Sequence, residues 1–472
     1  MDYNVTQKRN FEINTKMRNR ISRESGFPNR NLGTSPNLRV LTHVIFGVLA
    51  LVAAGCGRTP ARTGDGTFQP LNPDAAVFWD RQTTESAELL RGLVETFNRG
   101  WPGMPVKVER AGSYADIFRK VTGGINAGVL PAMAVSYESM TCEYIPLGAV
   151  RILDDLIADP ETGLSETELN DFFPNVLDTN RFPEHGNRFY SFPFAKSILM
   201  LYFNKKVLAD AGIDAPPETW EQFLDQCRRV KQQTGKFAHA VHADCSTVNG
   251  MMYSMGGAVV QGRETLYDSE AALEVFKLYE TLAREELAYL ISPGSYEDNV
   301  ALAKNEVAFV LRSSSGMSDM MLLMEGDRER WGVTRIPQRD PAHPATVLYG
   351  PNVCLFNIGE DAVNAAWAFV KHFTSADVSV RWALETGYLP VRKSALKHPD
   401  MLAFWEQWPH NRAPYDCLPI AKPEPNITGW QQVRDLAARA VTEIMTGIHD
   451  ASTAARILKE SADQALARAA RS

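Results

Sequence analysis

Three groups of residues in this chain are of types that do chemistry, and their spacing limits what each can do. His239, His242, Asp244 and Cys245 crowd metal-ligand types into one short stretch. On a strand, however, His239 and Asp244 face opposite sides, so no shared metal is expected. Glu138 with Asp154 or Asp155 offers the two carboxylates that hydrolysis of a glycosidic bond requires, yet nothing in their spacing favours cleavage over binding. HExxH, GxSxG, a Walker loop and a GxGxxG after a strand are all absent, which removes the carriers of protease, hydrolase, ATPase and dinucleotide chemistry. The expectation is a protein that is not an enzyme and uses no cofactor. The third group consists of aromatic and polar residues delivered to the ends of expected strands, Trp79 and Glu138 foremost. A carboxylate at a strand end is poorly explained by packing.

The elements that must position these residues alternate between strand and helix. An apolar run, AAVFW, starts at Ala75 and places Trp79 at the end of a buried strand. Leu89, Leu90, Leu93, Val94 and Phe97 then follow helical spacing, and Gly100 with Pro102 stops that helix. Val106 and Val108 alternate as a second strand, residues 114–126 are again amphipathic, and the apolar run 132–137 leads to Glu138. Further on, the run 198–203 is almost continuously apolar, and Thr219 with Gln222 forms a capping-box signature. The spacing predicts helices over 220–233, 268–286, 360–373, 376–385, 430–445 and 451–469, and a strand over 307–311 that runs into Arg312-Ser313-Ser314-Ser315-Gly316. Such alternation predicts βαβ units and a parallel sheet, whose ligands bind beyond the carboxyl ends of the strands.

The beginning of the chain bears on compartment. The run from Val40 to Cys56 is uncharged and apolar over roughly fifteen residues, about 22 Å as a helix, too short for the ~30 Å core of a bilayer. It ends on Ala53-Ala54-Gly55-Cys56, which resembles the lipobox of bacterial lipoproteins except that Ala53 stands where leucine is usual. The resemblance implies a lipid-carrying Cys56 as mature N-terminus and a membrane-anchored extracytoplasmic protein, with residues 1–55 a signal peptide whose basic N-terminal extension is unusually long. Residues 56–74 read as the lipidated cysteine and a flexible tether. Without residues 1–55 the chain keeps 41 basic against 53 acidic side chains, a net charge of −12 that suits no nucleic acid. The five later cysteines show no CxxC spacing and are expected as buried thiols.

Four pieces in order, SFPFAKSILMLYFNKKVLADAG with PPETWEQF, AKNEVAFVLRSSSG, ALETGYLPVRKSAL and the amphipathic C-terminal helices, resemble the extracellular solute-binding protein family 1 over residues 75–472. Those are receptors of ABC importers for sugars and related polyols. The resemblance implies an α/β, two-lobed periplasmic-binding-protein-like fold of type II, with a ligand cleft between lobes joined by a multi-crossing hinge. Lobe one is expected at 75–195 plus 314–375, and lobe two at 196–313 plus 376–472. The implied partners are a carbohydrate or polyol ligand and the permease subunits, with the receptor itself a monomer.

Sugar rings present apolar faces that pack on aromatic rings, and hydroxyls that need partners once water is excluded. Trp79, Tyr114, Tyr388 and Trp430 are candidates for the faces; Glu138, Ser197, Ser314 and the Gly350 backbone are candidates for polar contacts. Six of these, Tyr114, Glu138, Ser197, Ser314, Gly350 and Tyr388, match the glycerol-3-phosphate receptors by motif, whereas Trp79 and Trp430 rest on position. Two features depart from that pattern. The stretch ADCSTVNGMM, residues 243–252, read as a loop, carries no aromatic, and Asn426 stands where those receptors hold phosphate with an arginine. An amide cannot neutralise a dianion, so a neutral ligand is expected, with Asn426 donating to a hydroxyl and glycerol-3-phosphate or its diesters as the alternative. A glycoside-acting enzyme and a ligand sensor for a membrane receptor are the other readings of the same residues.

Overall fold

A computed structural model of the chain describes residues 66–471; the expected leader, Cys56 and most of the tether lie outside the described residues. Two sheets organise the described residues. The first has the strand order Val106–Arg110, Ala76–Asp80, Met133–Ser136, Asn352–Leu355, Phe192–Pro193. Its first three strands are parallel, as the helix-strand alternation requires, and Asn352–Leu355 runs antiparallel to both of its neighbours. The second sheet has the order Ala288–Leu290, His239–Val241, Phe309–Ser313, Ser197–Asn204, Thr346–Tyr349, Ala421–Pro423, with Trp331–Arg335 also paired to Ser197–Asn204.

Ser197–Asn204 shows why its sequence lacks alternation. Ile198, Met200 and Tyr202 pack into one core cluster while Leu199 and Leu201 pack into another. A strand covered on both faces has no polar side to display. The first cluster fills lobe one and continues onto one face of the second sheet through Met200, Tyr202, Val310 and Trp331; the second lies under the helices Glu270–Arg284, Trp430–Met445 and Ala451–Ala469.

The chain passes between sheets at residues 193–197 and again at 349–352. The crossings are tied together by Ala195 N, which donates to Pro351 O at 3.1 Å, and the first is held also by Leu389 N, which donates to Lys196 O at 2.7 Å from the segment after Ala376–Thr386. Phe194 anchors the first of them in lobe one, stacked on Phe373 at 4.2 Å and edge-on to Phe78 at 5.4 Å. Gly350 sits in the second with φ 103°, and a Cβ there would stand 2.3 Å from Ala195 O, so only glycine lets the crossings touch.

Three expectations are corrected. Trp331–Arg335 and Thr346–Tyr349, expected in lobe one, pair with the central strand of the second sheet. Ala376–Thr386, expected in lobe two, packs on Thr84–Gly100 and Glu360–Phe373 of lobe one. The long antiparallel register along Ser197–Asn204 recruits the former, and the aromatic group of Trp382, Phe373 and Phe194 holds the latter. ADCSTVNGMM is likewise not a loop: Cys245–Ser254 is a helix whose N-cap, Asp244, accepts from Thr247 N.

Candidate functional site

At the carboxyl end of Ala76–Asp80 the chain turns through Asp80, Arg81 and Gln82. Beside it, Tyr114 opens the helix Tyr114–Ala127, fixed there by a capping box in which Ser113 N donates to Asp116 Oδ2 at 2.9 Å and Asp116 N donates to Ser113 Oγ at 3.2 Å. Tyr137 follows Met133–Ser136 and brings its ring 4.3 Å from that of Tyr114. The Arg81 guanidinium lies 4.9 Å over the Tyr114 ring. Tyr388, on the segment after Ala376–Thr386, stacks on Trp382 at 6.3 Å. Its phenol is raised by burial against the opposing pull of the Arg81 charge, and burial lifts the phenols of Tyr114 and Tyr137 as well. All three hydroxyls are therefore neutral near neutral pH, able to donate and accept.

Lobe two meets this wall with Arg434, whose guanidinium stands 5.4 Å over the Tyr137 ring. Glu424 holds it at 2.6 Å and is itself bonded by Ser246 at 2.9 Å and Asn249 at 2.8 Å. The lobes touch elsewhere along the same seam. Gly429 N donates to Glu143 Oε1 at 2.7 Å, and Ser139 Oγ donates to Gln431 Oε1 at 3.0 Å.

The expected site residues divide into three sets. Tyr114 and Tyr388 lie together in the aromatic wall. Glu138, Ser197, Ser314 and Gly350 gather instead at the hinge: Lys196 Nζ donates to Glu138 Oε1 and to Gly350 O, both at 3.1 Å, and Asn352 Nδ2 donates to Glu138 Oε1 at 2.8 Å. Ser314 Oγ accepts from Ile198 N at 3.2 Å, where Ser197 pairs with Tyr349. The third set is Trp79, Trp430 and Asn426. Trp79 is half-buried against the lobe-one core, and Trp430 is fully buried within the second cluster, so both serve packing in this conformation. Asn426 Nδ2 donates to Arg181 O at 2.7 Å and Thr179 O at 3.3 Å, so the donor expected for a ligand hydroxyl is already engaged, while Oδ1 has no hydrogen-bond partner.

Other candidate chemistry is engaged separately. Asp154 Oδ2 accepts from Phe189 N at 2.9 Å and pairs with Arg188, away from the Lys196 and Asn352 partners of Glu138. His239 Nδ1 is bonded to Phe309 O, and Asp244 caps its helix. Arg312 is paired with the buried Asp298. The sequence reading missed Asp80, Arg81, Gln82 and Tyr137, and raised Arg434 only as a stand-in cation for a phosphate. A signal for the first three was present, because three polar residues come directly after an apolar strand without a spacer.

A model of the bacterial extracellular solute-binding proteins matches residues 92–413. A putative binding protein of Brucella abortus (strain 2308) is 24% identical over 349 residues, 70% of this chain and 78% of that protein. The sn-glycerol-3-phosphate-binding periplasmic protein UgpB of Rhizobium meliloti (strain 1021) is 20% identical, over 85% of this chain and 96% of that protein. Among solved structures, UgpB from Mycobacterium tuberculosis in complex with glycerophosphocholine superposes with a TM-score of 0.74 at 21% identity, covering 84% of this chain and 99% of that one. The sugar-binding protein MalE from Xanthomonas citri gives 0.72 at 18% identity, covering 84% and 98%.

Proposed function

Because the chain belongs to the bacterial extracellular solute-binding protein family, we propose that it is the extracytoplasmic receptor of an ABC importer, closing its two lobes on a carbohydrate or polyol and delivering it to the permease. The observation that supports capture is the seam itself. Buried neutral phenols and guanidinium groups from two separate sheets converge across it, while the chain crosses between the sheets on a short strap. Aromatic faces beside donors and acceptors are what a ring bearing hydroxyls needs.

Charge supports a neutral ligand. Arg434 is matched by Glu424, Arg312 by Asp298, and Arg81 stands next to Asp80. A phosphate would need a cation free of carboxylates, and Asn426 supplies none. Lobe closure is tested by small-angle scattering of the full-length chain with glycerol, glucose, maltose or sn-glycerol 3-phosphate. Contraction with at least one of the three neutral compounds is expected; an unchanged radius with all four counts against capture by closure. Cys56 is proposed as the lipid anchor. Mass spectrometry of membrane-extracted protein is expected to find an acylated N-terminal Cys56, and an intact Met1 would refute the anchor.

A further inference from the structure

We infer that two small hairpins clasp the lobes shut from outside the aromatic wall, Glu184 of lobe one pairing with Arg263 of lobe two, so that closure on even a neutral ligand depends on salt. This rests on the receptor reading and adds to it a control on closure by residues apart from the wall. The hairpins 181–189 and 260–265 are two-stranded sheets of their own, separate from the two large sheets. Their turns meet. The Arg263 guanidinium is bonded to Glu184 Oε1, and its second amino nitrogen donates to Thr428 O at 3.0 Å and to Leu466 O at 2.9 Å. Both carbonyls belong to lobe two, and so does the Arg263 hairpin. Thr265 N pins that hairpin to the helix Ala451–Ala469 by donating to Asp463 Oδ1 at 2.8 Å, and Lys459 Nζ donates to Thr265 O at 3.0 Å. Arg263 is thus held ready on its own lobe, and the one carboxylate it pairs with among the described residues is on the other.

A second carboxylate of lobe one completes the clasp. The helix Trp430–Met445 starts from Gly429, whose φ of 94° is left-handed, and it has no side-chain cap of its own. Lobe one supplies the missing acceptors: Gly429 N donates to Glu143 Oε1 at 2.7 Å and Thr428 N donates to Glu184 Oε2 at 3.3 Å. A helix start carries partial positive charge, so two carboxylates beside it favour the closed arrangement. An isolated exposed ion pair contributes little, whereas charges joined in a network contribute more. Here Glu184 is shared between Arg263 and Thr428, and Arg263 between one carboxylate and two carbonyls. The Arg263 and Glu184 side chains are 33% and 27% exposed, so dissolved ions screen them. The buried pairs of Arg434 and Arg312 are screened far less, and a neutral ligand adds no charge. Salt therefore acts on closure chiefly through the clasp.

The test compares the full-length chain with Arg263→Met, Glu184→Gln and the double variant Glu143→Gln with Glu184→Gln. Calorimetric titration with glycerol, glucose and maltose at about 0.02 M and about 0.5 M sodium chloride gives affinity, and small-angle scattering without ligand gives the radius of the free chain. Weakening the clasp lowers affinity where the free chain is mostly open, and swells the free chain where it is mostly closed. At low salt the compound bound by the unaltered chain is expected to bind each single variant about threefold more weakly and the double variant about tenfold, or the free radius to grow in the same order. High salt should move the unaltered chain in the same direction and the double variant hardly at all. A merely structural ion pair would lower the melting temperature and leave affinity and radius unchanged. Should Arg263→Met fail to fold, Glu184→Gln tests the same pair from the other lobe. Affinity and free radius both unchanged in folded variants overturn the clasp and leave the receptor reading intact. An unaltered chain that binds none of the three compounds counts against the receptor reading; the free radius then decides the clasp alone, and an unchanged one overturns it.

Discussion

Replacing Lys196 by Met is expected to destabilise the folded chain by about 3–5 kcal/mol. The ammonium is fully buried, and its partners are the Glu138 carboxylate and the Gly350 carbonyl. Burial lowers the amine's pKa, and the Glu138 carboxylate, with a smaller contribution from Glu424, opposes that shift. Methionine fills a similar volume but leaves Glu138 with only the Asn352 amide, an uncompensated charge beneath the hinge. The effect is electrostatic rather than steric, so the double substitution Lys196→Met with Glu138→Leu should recover most of the loss. Urea unfolding of the three proteins measures it. A loss below about 1 kcal/mol in the single variant would mean that the pair is not ionised in the fold.

Replacing Tyr388 by Ala should weaken ligand binding by about 2 kcal/mol, roughly thirtyfold, if the ring packs on a sugar face. Tyr388 is 8% exposed and adjoins Arg81, Gln82 and Tyr114, so it is the member of the wall common to the whole group. Truncation also removes its contact with Trp382, and some stability is lost with it. Tyr388→Phe separates the two contributions, since it keeps the ring and deletes the hydroxyl. Calorimetry should find Phe close to the unaltered chain and Ala far weaker. Equal affinity of a folded Ala variant would return Tyr388 to core packing alone.

What was legible in the sequence depended on how each element is covered. The helices Glu360–Phe373, Trp430–Met445 and Ala451–Ala469 have one buried stripe and begin and end where their periodicity does. The helix Cys245–Ser254 is buried at all ten positions, so no stripe exists to be read, and its Ser, Thr, Asn and Gly residues are weak helix formers. Only the Asp244 cap marks it. Among site residues, Tyr114 was legible through its motif match with the glycerol-3-phosphate receptors, and the Ser113–Asp116 capping box shows what fixes it at the start of its helix. Lys196 was not, because nothing local distinguishes a buried lysine from a solvated one; its partner, Glu138, is 58 positions away. Arg434 is hidden for a similar reason, since its burial depends on Glu424 and the Ser246 hydroxyl arriving from other elements. The lobe assignment failed where pairing, not pattern, decides: Trp331–Arg335 resembles any short strand until the edge of Ser197–Asn204 claims it.

The central claim is that two hinged lobes hold a neutral, hydroxyl-bearing solute between a tyrosine wall and a charge-compensated arginine. Calorimetric titration of the full-length chain with glucose, maltose and glycerol, each in competition with sn-glycerol 3-phosphate, tests this most directly. The account predicts that one of the neutral compounds binds more tightly than the phosphate ester and does so in the unaltered chain at pH 7. Tighter binding of sn-glycerol 3-phosphate than of every neutral compound, or an affinity for it that falls when Arg312 is removed, would contradict the account.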